Sequence, residues 1–301
     1  MTIRLIVNAD DYGRSANVSR GIRDAYLNGI VRSTTCMMNM PSVVDDIKIA
    51  RRETPGLGMG VHLVLTAGRP LLPVEKVSTL TNPDGAFFKL DRLVANLAQL
   101  DPAQVKAEWR AQIENFVAAA GRNPTHLDSH HHSSYFTPDL FQAMLELAQA
   151  YGAAIRLPVE PDARDTLAGI PAELLQPVTE HAPRLLEKFH PRHPDAFFAS
   201  FYDDHATREE LFRIMASLGD GDPYPTGTMS TGSPYGDLPY GHDVAGQAFE
   251  VMTHPGYSDP DLVAGTSYAV QRDRELEVLT AAETLAEVKK RNIELIHFGQ
   301  L

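Results

Sequence analysis

An apolar run, Ile3-Arg4-Leu5-Ile6-Val7, passes through Asn8-Ala9 straight into two neighbouring carboxylates, Asp10 and Asp11, followed by Tyr12-Gly13. The Ile, Leu and Val content of the run predicts a first β-strand. A buried strand that leads directly into Asp-Asp is not explained by surface polarity. Adjacent side chains of a regular strand point to opposite faces, so both aspartates can serve one cavity only where the strand breaks. Gly13 is the residue that predicts this break. Carboxylates at the C-terminal ends of strands in α/β proteins are where sites are usually built. The pair therefore reads as catalytic or metal-binding.

Strand-like and helix-like segments alternate along the rest of the chain. Further strands are expected at Ser33–Met40, Leu57–Leu65, Thr125–Ser129, Ala154–Leu157, Ala196–Ala199, Ala248–Thr253 and Glu294–Phe298. Helices are expected at Asn17–Asn28, Ser42–Thr54, Asp91–Gln99, Pro102–Ala120, Asp139–Tyr151, Arg208–Leu218 and Arg274–Arg291. This βαβα order predicts an α/β fold with a mostly parallel sheet covered by helices and a site at the C-terminal ends of its strands. A length of 301 residues suits one large barrel or two ordinary domains. The stretch 219–243, crowded with Gly, Pro and Tyr, is too long for an ordinary connection. It reads as a lid, an oligomer contact or a plain surface excursion.

Composition narrows the partners. A net charge of −12 argues against nucleic acid and against anionic membrane surfaces, both of which recruit clustered Lys and Arg. The one cysteine, Cys36, allows no intrachain disulfide and fits a reducing compartment. The N-terminus does not resemble a signal peptide, and no apolar stretch approaches the roughly 20 residues that span a bilayer. The expectation is a soluble, cytoplasmic protein.

Three histidine-bearing segments follow apolar runs. In Gly58-Met59-Gly60-Val61-His62-Leu63-Val64-Leu65, alternation places Gly58, Gly60 and His62 on one face, where the glycines leave room for backbone or ligand. An isolated histidine is usually a satisfied core residue, but His62 shares the chain with the aspartate pair and a histidine cluster. That cluster is His126-Leu127-Asp128-Ser129-His130-His131-His132. If the strand runs to its end, His126, Asp128 and His130 share a face and His131 points away, while spacing alone does not choose between His130 and His132. Asp128 is placed to orient a ligating histidine. The third segment, Val251-Met252-Thr253-His254-Pro255-Gly256-Tyr257, puts His254 at a turn, as a general acid, an orienting group or a turn residue.

One carboxylate and two imidazoles with open positions suit the activation of water. Nitrogen ligands favour Zn²⁺, whereas Mg²⁺ prefers oxygen, so ligand type leaves the ion open. Tyr12, Tyr135 and Tyr257 adjoin these segments and are candidates for stacking on a sugar. Arg156 and the run Arg272-Asp273-Arg274-Glu275-Leu276-Glu277 could supply a positive group, although solvated helix ends look the same. No P-loop, dinucleotide fingerprint or nucleophile elbow is present.

Asn8-Ala9-Asp10-Asp11-Tyr12-Gly13, Gly60-Val61-His62-Leu63, Thr125 through His132 and His254-Pro255-Gly256-Tyr257 together resemble the motifs of the YdjC-like carbohydrate deacetylases, which include chitooligosaccharide deacetylases. The resemblance is closest over about residues 1–157 and returns at the His-Pro-Gly-Tyr turn. It implies a single domain over residues 1–301, an irregular or incomplete (β/α) TIM-like barrel related to the polysaccharide deacetylases, commonly as a homodimer. It implies metal-dependent removal of an N-acetyl group from a sugar or oligosaccharide. Asp11, His62 and His130 would hold the divalent ion, Asp10 would be the general base and His254 the proton donor. Such enzymes are usually described with magnesium, while zinc fits the ligand set equally well. The departure lies between Leu157 and Gly246, which looks longer than in compact chitooligosaccharide enzymes. A metal-dependent deacylase or phosphoesterase acting on a non-sugar substrate at the same site, or a non-catalytic sugar-binding protein, are the rival readings.

Overall fold

A computed structural model describes residues 3–158, 172–218 and 247–301, so the 219–243 excursion lies outside the described residues. The first strand, β1 (Ile3–Tyr12), is the longest and the hub of the sheet. The other strands are β2 (Ser33–Cys36), β3 (Gly58–Leu63), β4 (His126–Ser129), β5 (Ala154–Ile155), β6 (Ala196–Phe198), β7 (Ala248–Thr253) and β8 (Ile293–Ile296). They run in the order β5-β4-β3-β2-β1-β7-β6, all pairings being parallel, and β8 pairs with Ile3–Ile6 of β1.

The sheet curls without closing, because β5 and β6 form no ladder with each other. Backbone just ahead of β6 reaches β5 through one hydrogen bond, Ile155 N–H to the Arg192 carbonyl at 2.9 Å. The curl is strong: Ile6 of β1 and Ala154 of β5, separated in the sheet by three strands, share one apolar cluster with Ala248, Ile296 and Phe298. This cluster joins the first residues of β5 and β7 to the end of β8 and Phe298 just after it. The architecture is thus an open α/β sheet of the incomplete-barrel kind.

Helices cover the outside, and each has a local reason to form. The outer helix α1 (Ala16–Asn28) begins at Ser15, whose hydroxyl accepts from the Val18 N–H. After α2 (Val43–Glu53) and the short α3 (Leu90–Ala95), α4 (Pro102–Ala120) starts with Pro in its first turn and stops at Gly121, φ 68°. Its Trp109 is fully buried, a core residue and not a sugar platform. α5 (Pro138–Tyr151) repeats the pattern with Gly152 at φ 65°, and α6 (Ala172–Phe189) and α7 (Arg208–Ser217) precede β6 and the 219–243 stretch respectively. Beyond β7 come α8 (Pro260–Gly265), α9 (Val270–Thr280) and α10 (Ala282–Lys290).

Two expectations are corrected by this architecture. The helix expected over Arg274–Arg291 is two helices, because Ala281 adopts φ −62°, ψ 141° and breaks the turn. The second strand stops at Cys36 and turns from Met37 onward. The helices α6 and α8 carry no expectation at all. In α6 the prolines at positions 177 and 183 hide the periodicity.

Candidate functional site

The aspartate pair sits at the top of β1; the break expected at Gly13 (φ 89°) lies just beyond both aspartates, which the strand still includes. It continues to Tyr12 through a bulge: Ala9 pairs with Thr34 and Tyr12 with Cys36, so β1 carries one extra residue. Asp11 absorbs it in the left-handed region, φ 72°, which aspartate tolerates better than most residues. The bulge returns Asp11 to the face already used by Asp10, and both side chains are buried inside the curl. The alternation rule is circumvented within the strand.

Oδ1 of Asp11 lies 3.2 Å from Nδ1 of His130 and 3.5 Å from Nε2 of His62. These three residues form a cluster able to hold a metal ion. Asp10, His62 and Asp128 form a second such cluster, but every oxygen of its two carboxylates already accepts from Arg156, Asn8, Thr35 or His62. In the first cluster, by contrast, Asp11 Oδ1 is buried and accepts no well-formed hydrogen bond among the described residues, although His130 Nδ1 lies 3.2 Å away. A buried carboxylate oxygen without a partner is costly, and a divalent ion shared with two imidazoles removes that cost. The donor set therefore fits a divalent metal.

The histidine triplet separates by conformation. His131 and His132 both have positive φ, 54° and 53°, turning the chain sharply after β4. His130 faces Asp11; His131 stacks on it at 4.0 Å and meets Thr66 Oγ1 through Nδ1 at 2.9 Å. His132 packs edge-on against Phe197 and belongs to neither cluster. His126 shares the inward face with Asp128 and His130 but lies deeper, stacked on Phe298 at 3.7 Å. Its ring also fills the space beside Gly60, where a Cβ would come within 2.5 Å of Nδ1. The room at the glycines of β3 thus admits histidine rings and no ligand.

Beneath the cluster lies a buried guanidinium. Arg156 forks onto Asp10 with Nη1 and Nη2 at 2.7 Å each, and it also reaches Glu250 Oε1 at 2.7 Å and Asp128 Oδ2 at 3.0 Å. Burial alone would raise the Asp10 carboxyl, but the Arg156 charge overrides it and holds Asp10 well below the usual carboxylate range. Burial likewise works against Asp11, which Arg272 and His130 keep ionised. Glu250, with three charged neighbours, is pushed by burial up to about 7 despite Arg156. Burial depresses His130, whereas on His62 it is outweighed by Asp128, which raises that ring to about 9.

His254 follows β7 with Nε2 4.0 Å from Asp10 Oδ2. Its other nitrogen, Nδ1, has no hydrogen-bond partner among the described residues and lies 3.9 Å from Glu275 Oε1. Burial lowers His254 to about 4 and raises Glu275 to about 8, so the histidine is neutral and the carboxyl retains a proton at neutral pH. Glu275 accepts from the His254 N–H and from Tyr268 Oη, and Tyr202 stacks on Tyr268 at 4.4 Å. On the same helix, Arg272 donates through Nη2 to Asp11 Oδ2 at 2.5 Å.

Sequence reading gave Arg156 and the 272–277 run only a generic positive role and did not single out Glu275, Tyr268 or Tyr202. The signal was the spacing: Arg272, Glu275, Leu276 and Leu279 form a buried helical stripe in which two members are ionisable. The expected tyrosines are committed elsewhere. Tyr12 Oη donates to the Asp46 carbonyl, Tyr135 Oη to the Arg156 carbonyl and Tyr257 Oη to Asp24.

The chain is similar to known proteins over nearly its whole length. The chain is 34% identical to a carbohydrate deacetylase of Geobacillus stearothermophilus over 98% of its own length and 96% of that protein. It is 34% identical to a carbohydrate deacetylase of Brevibacillus brevis, covering 99% of this chain and all (100%) of that one. The crystal structure of an Enterococcus faecalis V583 protein, described as a proposed cellobiose-phosphate cleavage protein, superposes with a TM-score of 0.78 at 28% identity, covering 100% of this chain and 99% of that one. The profile of the YdjC-like protein family matches residues 4–290, and the chain belongs to that family.

Proposed function

We propose that this protein is a divalent-metal-dependent hydrolase that removes the acetyl group from an N-acetylated sugar or oligosaccharide. The observation that carries the reading is the buried Asp11–His62–His130 cluster with its unpartnered oxygen, set beside an aspartate that Arg156 keeps ionised. The relatives named carbohydrate deacetylase, at 34% identity over nearly full length, support the substrate class. The kinship with polysaccharide deacetylases, the homodimer and the cytoplasmic location belong to the same proposal and rest on the motifs and composition. No helix among the described residues is long and apolar enough to cross a membrane.

In this reading Asp11, His62 and His130 hold the ion, Zn²⁺ or Mg²⁺, with Asp128 orienting His62. Bound there, it would polarise the acetamide carbonyl and lower the pKa of water. Asp10 accepts the proton of the attacking water, and the Arg156 fork fixes the direction of its oxygens. Water oxygen bonds to the acyl carbon, the C–N bond breaks, and the amine leaves with a proton. His254 delivers that proton. Because His254 starts neutral, the proton it passes on is replenished from Glu275, whose carboxyl faces the orphaned Nδ1. The products are acetate and a free amino sugar.

Acetate release from N-acetylglucosamine oligomers tests the proposal, using metal-stripped protein with Mg²⁺, Zn²⁺, Co²⁺ or nothing added back. Release restored by an ion supports it. Folded, metal-loaded protein that releases no acetate from any oligomer refutes the substrate class.

A further inference from the structure

Two arginines meet the two adjacent aspartates in different ways. Arg156 covers both oxygens of Asp10, whereas Arg272 touches only Oδ2 of Asp11. The remaining donors of Arg272 do not complete a fork: Nε donates to the Tyr268 carbonyl at 3.1 Å, and Nη1 has no partner among the described residues. Its guanidinium lies over the Tyr268 ring at 5.6 Å, and its own carbonyl accepts from Gly256 at 3.2 Å, so the side chain is anchored from several sides. A counter-charge serving only stability would neutralise both oxygens. This one leaves Oδ1 free towards His62 and His130.

We infer that Arg272 is a positioning residue that confines Asp11 to one free oxygen and weakens it as a metal ligand, lowering affinity for the ion while leaving the ion a stronger Lewis acid. The inference rests on the proposed ligand set. A carboxylate partner, such as Asp128 on His62, increases a ligand's basicity and strengthens metal binding. A guanidinium partner has the opposite sign: it draws electron density from Asp11 and sets a fixed positive charge near the incoming cation. In a buried site that repulsion is poorly screened. One ligand is thus strengthened and another weakened. The balance keeps the site occupied without saturating the ion's charge.

The test compares wild-type protein with Arg272→Gln, Arg272→Met and Arg272→Lys, each metal-stripped and shown folded by its melting transition. Calorimetric titration with Zn²⁺ and Mg²⁺ reads affinity, and the visible spectrum of the Co²⁺-loaded protein reads coordination. The neutral variants are expected to bind the ion roughly tenfold or more tightly, to shift the Co²⁺ spectrum as Oδ2 becomes available, and to lose kcat. Arg272→Lys, which keeps the charge, is expected to stay near wild type in affinity. Unchanged or weaker binding by a folded neutral variant overturns the inference, as does a lysine variant that binds as tightly as the neutral ones. Neutral variants that fail to fold beside a folded lysine variant mark a purely structural counter-charge and also overturn it. Wild-type protein that takes up no divalent ion refutes the ligand assignment itself.

Discussion

Nδ1 of His62 lies 2.7 Å from Oδ1 of Asp128, and the same ring presents Nε2 to Asp11 at 3.5 Å. One imidazole therefore spans the buried charge layer below and the candidate metal cluster above. Its orientation is set by Asp128, whose other oxygen is held by Thr35 and Arg156.

Replacing Asp128 with Asn is expected to weaken divalent-metal binding about 10- to 100-fold, because His62 loses its carboxylate partner. The loss should appear in calorimetric titration of folded protein. Affinity equal to wild type would separate Asp128 from the metal site.

The metal-free protein should lose stability as pH rises from about 6.5 to 9. His62 is raised to about 9 by Asp128 against the effect of burial, and an unfolded histidine titrates near ~6.5. Its contribution is complete below the unfolded value and is lost as pH climbs through the folded one. Glu275, raised by burial to about 8, and Glu250, raised by burial to about 7, act in the same direction, since each retains in the folded state a proton that the unfolded chain has released. Urea denaturation across this range checks the slope, and Asp128→Asn should flatten it. Metal uptake must displace the His62 proton, so affinity for the ion should increase over the same interval.

Arg156→Met should destabilise the protein by about 3–5 kcal/mol, the cost of leaving buried charges unpaired. Asp10, Asp128 and Glu250 would then face one another without a cation. Chemical denaturation measures the loss, and a change below ~1 kcal/mol would show that the layer relaxes or takes up protons without penalty.

Gly60→Ala should cost about 1–3 kcal/mol, because the added methyl group overlaps the ring and carbonyl of His126. The same strain falls two residues from His62, so metal affinity should drop with stability. A neutral effect on both would mean that the His126 ring moves freely on Phe298.

Much of the frame was legible because strands and helices announce themselves locally. Apolar content located the strands that carry Asp10, His62 and Asp128 and the one that His254 follows, and helical periodicity marked α1, α4 and α5, with proline in the first turn of α4. The bulge at Asp11 was not legible, since no composition signal distinguishes an aspartate in the left-handed region from one in a strand. Ala281-Ala282 likewise gives no hint that one helix ends and another begins. The electrostatic frame was hidden for another reason: Arg156 is 146 residues from Asp10, and Arg272 is 261 residues from Asp11. Curling the sheet brings them together, and spacing along the chain cannot express that.

The central claim is that two adjacent aspartates, turned to one face by a bulge, do different work. It is tested most directly by measuring metal content and acetate release side by side for Asp10→Asn and Asp11→Asn. The account predicts that Asp10→Asn retains the ion near wild-type affinity while turnover falls about 10²- to 10⁴-fold, and that Asp11→Asn loses the ion itself. Equal loss of metal in both variants would contradict it.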